Sequence, residues 1–175
     1  GSAQDYFNKA LRASVEEYDR LARSNKIPYY GTTYNYDPNE KPIDLVAGEI
    51  DEMMSYKDYQ LTGNKASDLE KVYIQQILHF LMSPIDAYST ARRSGVPKIG
   101  SSIFPRMDYS ANGYPVTNIP RRVALNAPNP TDLMYDNLIE AYKEQGLSVG
   151  SGDILNSERI WQDTNAPQWG AGPIL

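Results

Sequence analysis

The sequence predicts a mainly α protein whose amphipathic helices are joined by long irregular loops. Apolar residues return at three- and four-residue spacing in several separate windows, and helix-start and helix-stop residues bracket those windows. Between them the chain is rich in Pro, Gly, Asn and Tyr without period, which reads as loop. A length of 175 residues suits one domain with a sizeable core; 3–175 are expected to form it, Gly1-Ser2 reading as an expression scar.

Phe7, Leu11, Val15, Tyr18 and Leu21/Ala22 give a first helix over about 3–24, with Ser2 and Asp5 as its capping pair and Pro28 beyond its end. Tyr29 to Lys41 has no periodicity and reads as an exposed loop. Ile43, Val46, Ala47, Ile50, Met53 and Met54 return to helical spacing, and Gly63-Asn64 breaks it. Ser67 and Glu70 have capping-box spacing before a face of Val72, Tyr73, Gln76, Ile77, Phe80 and Leu81, so a helix is expected to about Met82. Ser83 as cap and Pro84 at the first helical position restart the chain, Asp86 suiting the positive helix end. Arg92 and Arg93 suit the negative end, and Gly95 supplies a left-handed stop reinforced by Pro97.

From Lys98 to Pro128 prolines and glycines interrupt every pattern, leaving room only for short strands near Ile119 to Leu125. Asn129-Pro130-Thr131-Asp132 opens a last helix with Leu133/Met134, Leu138, Ala141 and Tyr142 on its apolar face and Gly146 at its close. Residues 147–175 are again rich in Gly, Ser, Asn and Pro.

Composition removes several functions. A formal net charge of -5 argues against a nucleic-acid partner, which needs a basic face. Zero cysteines exclude disulfides, thiolate metal sites and a cysteine nucleophile. No apolar run approaches the roughly 20 residues that span a bilayer.

Three spaced segments carry a signature. They are Ile85 to Pro97 (IDAYSTARRSGVP), Ile119 to Val123 (IPRRV) and Glu158 to Asp163 (ERIWQD), with a fourth piece at Ala10 to Tyr18 (ALRASVEEY). Together and in this order they resemble the C-terminal part of the SusD/RagB family of outer-membrane nutrient-binding lipoproteins. The resemblance implies the helical, TPR-containing fold of that family. It implies a longer protein, lipid-anchored at the outer-membrane surface, of which this chain is the C-terminal part. It also implies non-catalytic capture of a glycan, or of another oligomer such as a peptide, and hand-over to a SusC-like TonB-dependent transporter. No cofactor follows from it.

Read without that resemblance, the residues offer little catalysis. The only histidine, His79, sits between Leu78 and Phe80 and reads as a packed helix residue. No EF-hand loop or paired-histidine motif exists, so no metal ligands are assigned. The acidic residues, including Glu49, Asp51, Glu140, Glu144 and Asp153, read mostly as solvated helix faces. Glu158 and Asp163 are better suited to structural ion pairs with arginine than to glycosidase chemistry. Arg121-Arg122 are expected to hold irregular backbone through carbonyl contacts. Trp161 is expected to pack into the core, while Trp169 is left between tail anchor and interface residue.

The ligand-like feature is aromatic: 14 Tyr, 3 Phe and 2 Trp, many outside the helical faces. A sugar ring wants a flat aromatic beside amide, carboxylate or guanidinium partners. Phe104 to Tyr114 supplies that mixture, with Arg106, Asp108, Tyr109, Asn112 and Tyr114 as ligand-binding candidates, and Tyr29 to Asp37 is the second choice. The alternative for any one tyrosine is loop packing. Two other classes stay open: a carboxylate-dependent glycoside hydrolase and a purely protein-binding structural module.

Overall fold

A computed structural model describes residues 1–25, 30, 44–104, 109–111, 114–116, 121–150 and 154–175. It is mainly helical and divides into two compact units, Gly1–Gln75 and Gln76–Leu175.

The first unit is built on α1 (Ala3–Ser24) and α2 (Glu49–Ser55). The expected capping pair forms: Asp5 N–H donates to Ser2 Oγ at 3.2 Å and Ser2 N–H to Asp5 Oδ2 at 2.8 Å, satisfying two backbone donors the helix cannot. Phe7, Leu11 and Ala22 are buried on the face that the spacing marked. The helix stops at Asn25, whose backbone N–H (3.0 Å) and side-chain amide (2.8 Å) both donate to Leu21 O; Pro28 lies outside the described residues. The second helix is shorter than its apolar spacing suggests. Gly48, at φ 93, turns the chain into Glu49, so Val46 and Ala47 belong to the turn and Ile50 alone is buried.

α3 (Lys65–His79) also begins in this unit, and its cap corrects the sequence reading. Ser67 lies inside the first turn; Asn64 Oδ1 accepts its N–H at 3.1 Å, and Asp68 accepts from Thr62 N–H and Gly63 N–H at 2.8 and 2.9 Å. Glu70, expected in a capping box, is buried, as are Lys71 and Ile74, while Val72 is exposed. Lys71 donates its ammonium to Gln60 O at 2.6 Å, fastening the 3₁₀ turn Lys57–Tyr59 and its exit to α3.

In the second unit a 3₁₀ turn (Phe80–Met82) leads into α4 (Pro84–Ser94). Ser83 makes no side-chain cap to the backbone; its hydroxyl donates to Asp86 Oδ2 instead. His79 is exposed, its ring tilted against Phe80 at 5.4 Å, so it is not the packed residue expected. Gly95 takes the left-handed conformation (φ 70) and returns its N–H to Ala91 O at 3.0 Å, as its place after the two arginines implies. The Val96–Pro97 peptide is cis.

Beyond it, β1 (Tyr109–Ala111) and β2 (Tyr114–Val116) pair antiparallel, upstream of the expected strands. They are separated by Asn112-Gly113, the dipeptide most favoured in two-residue hairpin turns. Near Leu125 only an isolated bridge to Gly150 forms, and Ile119 and Pro120 lie outside the described residues. The last long helix, α5 (Tyr135–Glu144), starts after the expected cap. Asn129 O and Asn129 Oδ1 close a turn on Asp132 N–H (2.8 Å) and Thr131 N–H (3.1 Å), and Asp132 O then accepts from Tyr135 N–H at 3.0 Å. No residue of α5 is fully buried, and Leu133 and Met134 are exposed. A short α6 (Ile154–Ser157) and a 3₁₀ turn (Trp161–Asp163) complete the unit.

Candidate functional site

Among the described residues the largest fully buried side chains are Arg121, Val96 and Asp163, an unusual set because two of the three are charged. They belong to the three signature segments, and the fold brings those segments together. Helix α4 ends with Arg92 in its last turn, where a cation opposes the negative helix end. Its guanidinium lies 5.5 Å from the Tyr88 ring one turn back and 3.7 Å from Asp163. Arg121 approaches the same carboxylate at 3.4 Å and donates to the carbonyls of Arg92 (3.3 Å) and Pro167. Arg92 in turn donates to Arg121 O at 3.3 Å. Arg159 fixes the turn that carries Asp163, donating to Asp163 O at 2.8 Å and Ala166 O at 2.5 Å.

Arg122 faces a second carboxylate. It meets Glu158 Oε2 through Nη2 at 2.6 Å and Nε at 3.0 Å, while its remaining donors reach Val123 O (2.8 Å) and Ser148 O (2.7 Å). Adjacent arginines thus split the work: one neutralises Asp163, the next Glu158, and both staple irregular backbone through carbonyls. These are the ion pairs and carbonyl contacts that the sequence suggests. Hydrogen bonds from Ser148, hydroxyl and backbone N–H, together with Arg122, hold the Glu158 carboxyl down to about 2. Burial pushes the Arg121 guanidinium below its ordinary value, against the opposing pull of Asp163.

The tail closes over the end of α4. Gly172 N–H donates to Gly95 O at 3.1 Å and Ile99 N–H to Gly170 O at 2.8 Å. A Cβ on Gly95 would stand 2.9 Å from Gly172 O, 3.0 Å from Gln168 O and 3.1 Å from Pro167 Cγ. The glycine therefore serves two needs, a left-handed backbone and room for the tail.

Of the ligand-binding candidates, Arg106, Asp108 and Asn112 lie outside the described residues. Tyr109 is on β1 opposite Val116 and Tyr114 is on β2 opposite Ala111, so both tyrosine positions belong to one face of the ribbon. Within the second-choice loop only Tyr30 is described, and it packs on α1: its hydroxyl donates to Asp19 Oδ1 at 2.5 Å and Arg23 lies 5.4 Å from its ring. Hydrogen bonds from Arg23 and then Tyr30 lower the Asp19 carboxyl, which raises the Tyr30 hydroxyl in return. That tyrosine follows the loop-packing alternative.

Trp161 overturns its expectation. Its neighbour Asp163 is 1% exposed, yet Trp161 is 81% exposed and forms no part of the core. The sequence reading also missed Arg92 and Arg159 as partners of this cluster, although their place in the same signature segments was the available signal. Among the described residues no group of three His, Asp or Glu side chains is placed to hold a metal, and no helix is long and apolar enough to cross a membrane. Comparison with family models, with curated proteins and with solved structures finds no match to this chain.

Proposed function

We propose that this protein captures a glycan or another nutrient oligomer at the outer-membrane surface without chemical conversion, and delivers it to a SusC-like TonB-dependent transporter. One observation supports this reading above the others: the three separated segments that carry the SusD/RagB resemblance meet in a single buried ion cluster, so they form one structural device. The carboxylates of the tail are consistent with a non-catalytic protein. Asp163 is fully buried between arginines and Glu158 is bound to Arg122 and Ser148, which leaves neither placed as a water-activating base.

The test pairs calorimetric titration of soluble polysaccharides with a reducing-sugar assay on the same samples. Saturable binding with no product is expected. Turnover that disappears in a folded Glu158→Gln/Asp163→Asn variant would instead make the protein a hydrolase.

A protein-binding module is the second reading, favoured by one stretch of chain. Leu78, Leu81, Met82 and Ile85 are all exposed, in a segment from Val72 to Ile85 without Asp, Glu, Lys or Arg. Association with a transporter in the absence of any oligomer binding would select it.

A further inference from the structure

The buried ion cluster has more hydrogen-bonding capacity than its own members use. Arg121 spends both Nη groups on carbonyls, Nη1 on Arg92 O at 3.3 Å and Nη2 on Pro167 O, and Arg92 spends Nη1 on Arg121 O at 3.3 Å. Among the described residues nothing accepts a hydrogen bond from the Nε–H of Arg92 or of Arg121, and nothing donates one to either carboxylate oxygen of Asp163; all four atoms are buried. The charges face one another at 3.7 Å (Arg92 Nε to Asp163 Oδ1) and 3.4 Å (Arg121 Nη1 to Asp163 Oδ2), beyond the roughly 2.7–2.9 Å of a direct hydrogen bond between guanidinium and carboxylate. The gaps cannot close freely, because each partner is tied elsewhere. Asp163 N–H donates to Ile160 O at 2.9 Å and Arg159 holds Asp163 O at 2.8 Å, while the other two arginines are held by the carbonyls they bind.

Native proteins satisfy nearly all their buried polar groups, and they use water where protein does not reach. The chemistry of the unmet groups selects the molecule, which must accept from an N–H and also donate to a carboxylate. A halide accepts but cannot donate, and it would press against Asp163; a metal cation would face two guanidinium groups. Water does both, and it is small enough to be enclosed where the Arg121 and Asp163 side chains are 2% and 1% exposed. We infer that an ordered internal water belongs to the cluster, accepting from the Nε–H groups of Arg92 and Arg121 and donating to the Asp163 carboxylate. Its partners come one from each of the three signature segments, so the water is a further member of the device that joins them. Locked by these partners, it cannot reorient around a stranded charge and does not replace the bulk solvent that the ions have given up. It is independent of what the protein captures.

The test uses the full chain, with water itself as the probe. A high-resolution crystal structure, with a second crystal soaked in bromide, is paired with NMR of protein carrying isotope-labelled arginine, the two Nε–H signals being assigned with Arg92→Lys and Arg121→Lys. Expected is a density peak at hydrogen-bond distance from an Asp163 oxygen and from both Nε atoms, without anomalous signal after the soak. The Nε–H protons should show a nuclear Overhauser peak at the water frequency that changes sign between the laboratory and rotating frames, the mark of a resident water. That peak should survive in Tyr88→Phe, which removes the hydroxyl of the ring beside Arg92. Should Arg121→Lys fail to fold, the wild-type crystal and the Arg92 signal decide alone. Direct hydrogen bonds from Nε to the carboxylate with no density peak beside them, or loss of the Overhauser peak in Tyr88→Phe, would overturn the internal water. Anomalous bromide density in the cluster would overturn it too, making the site one for anions.

Discussion

In the first unit Arg20 meets Glu17 at 2.6 Å with the two side chains 62% and 44% exposed; in the second Arg121 meets Asp163 at 3.4 Å with 2% and 1% exposed. The shorter contact is the weaker structural determinant. On α1 the ions exchange water for each other at little gain, and losing one partner returns the other to solvent. Inside the second unit each ion has left water altogether, so removing either strands the other in a medium that cannot solvate it. Distance alone ranks these pairs wrongly; burial ranks them correctly.

Breaking the buried side of the comparison should have the largest effect. Asp163→Ala leaves Arg121 and Arg92 without their carboxylate and is expected to cost about 3–5 kcal/mol in guanidinium denaturation followed by tryptophan fluorescence. Both tryptophans, Trp161 and Trp169, lie in the second unit, so this signal reports on it directly.

Two left-handed glycines sharpen the same contrast. Gly48 has φ 93 and open space where a Cβ would point, so Gly48→Ala should cost only its backbone strain, about 1–2 kcal/mol. Gly95 has φ 70 and the tail carbonyls of Gln168 and Gly172 within 3.0 Å of that point. Gly95→Ala should exceed Gly48→Ala clearly, reaching about 3 kcal/mol when the clash is added to the strain. Equal losses would mean that the tail does not press on α4.

A pH profile separates Glu158 from the exposed acids. Its carboxyl is held down to about 2 from an ordinary 4.5. A lowered folded value means that ionised Glu158 stabilises the fold fully above pH 4.5, and that this contribution fades as pH falls through about 2. Wild type should therefore exceed Glu158→Gln in stability at neutral pH, with the gap closing between pH 4.5 and 2. The smallest effect is expected at Glu17→Gln, whose exposed pair with Arg20 should leave the denaturation midpoint unmoved at physiological salt.

Much of the helical frame was legible because its signals are local. Ser2 and Asp5 read each other across three residues, and Gly95 and Gly146 each follow a last turn that carries a basic residue. Caps that depend on a loop were misplaced. Asn64 caps α3 while Asp68, inside the helix, ties down the preceding loop, and a turn at Asn129–Asp132 delays α5, because these side chains satisfy loop amides that no helical spacing reveals. The ion cluster was half legible. Glu158 and Asp163 were matched to arginines as a class, but which arginine meets which carboxylate is decided by contacts across 36 or more positions. Trp161 shows the limit most plainly, since an aromatic within a segment that packs into the core need not itself point there. Of the candidate ligand residues, only the hairpin register of Tyr109 and Tyr114 enters the described structure, and the Asn-Gly pair between them was the unused local signal.

The Arg121–Asp163 pair acts as one buried unit that joins segments distant in sequence, and a double-mutant cycle measures that directly. Arg121→Met, Asp163→Leu and the combined variant are compared with wild type by fluorescence-detected denaturation. Each single change should cost about 3–5 kcal/mol, and the double change should cost less than their sum by about 1–3 kcal/mol, because it removes the stranded charge along with its partner. Strictly additive losses would show that the two side chains contribute independently, and would contradict the reading of the three segments as a single structural device.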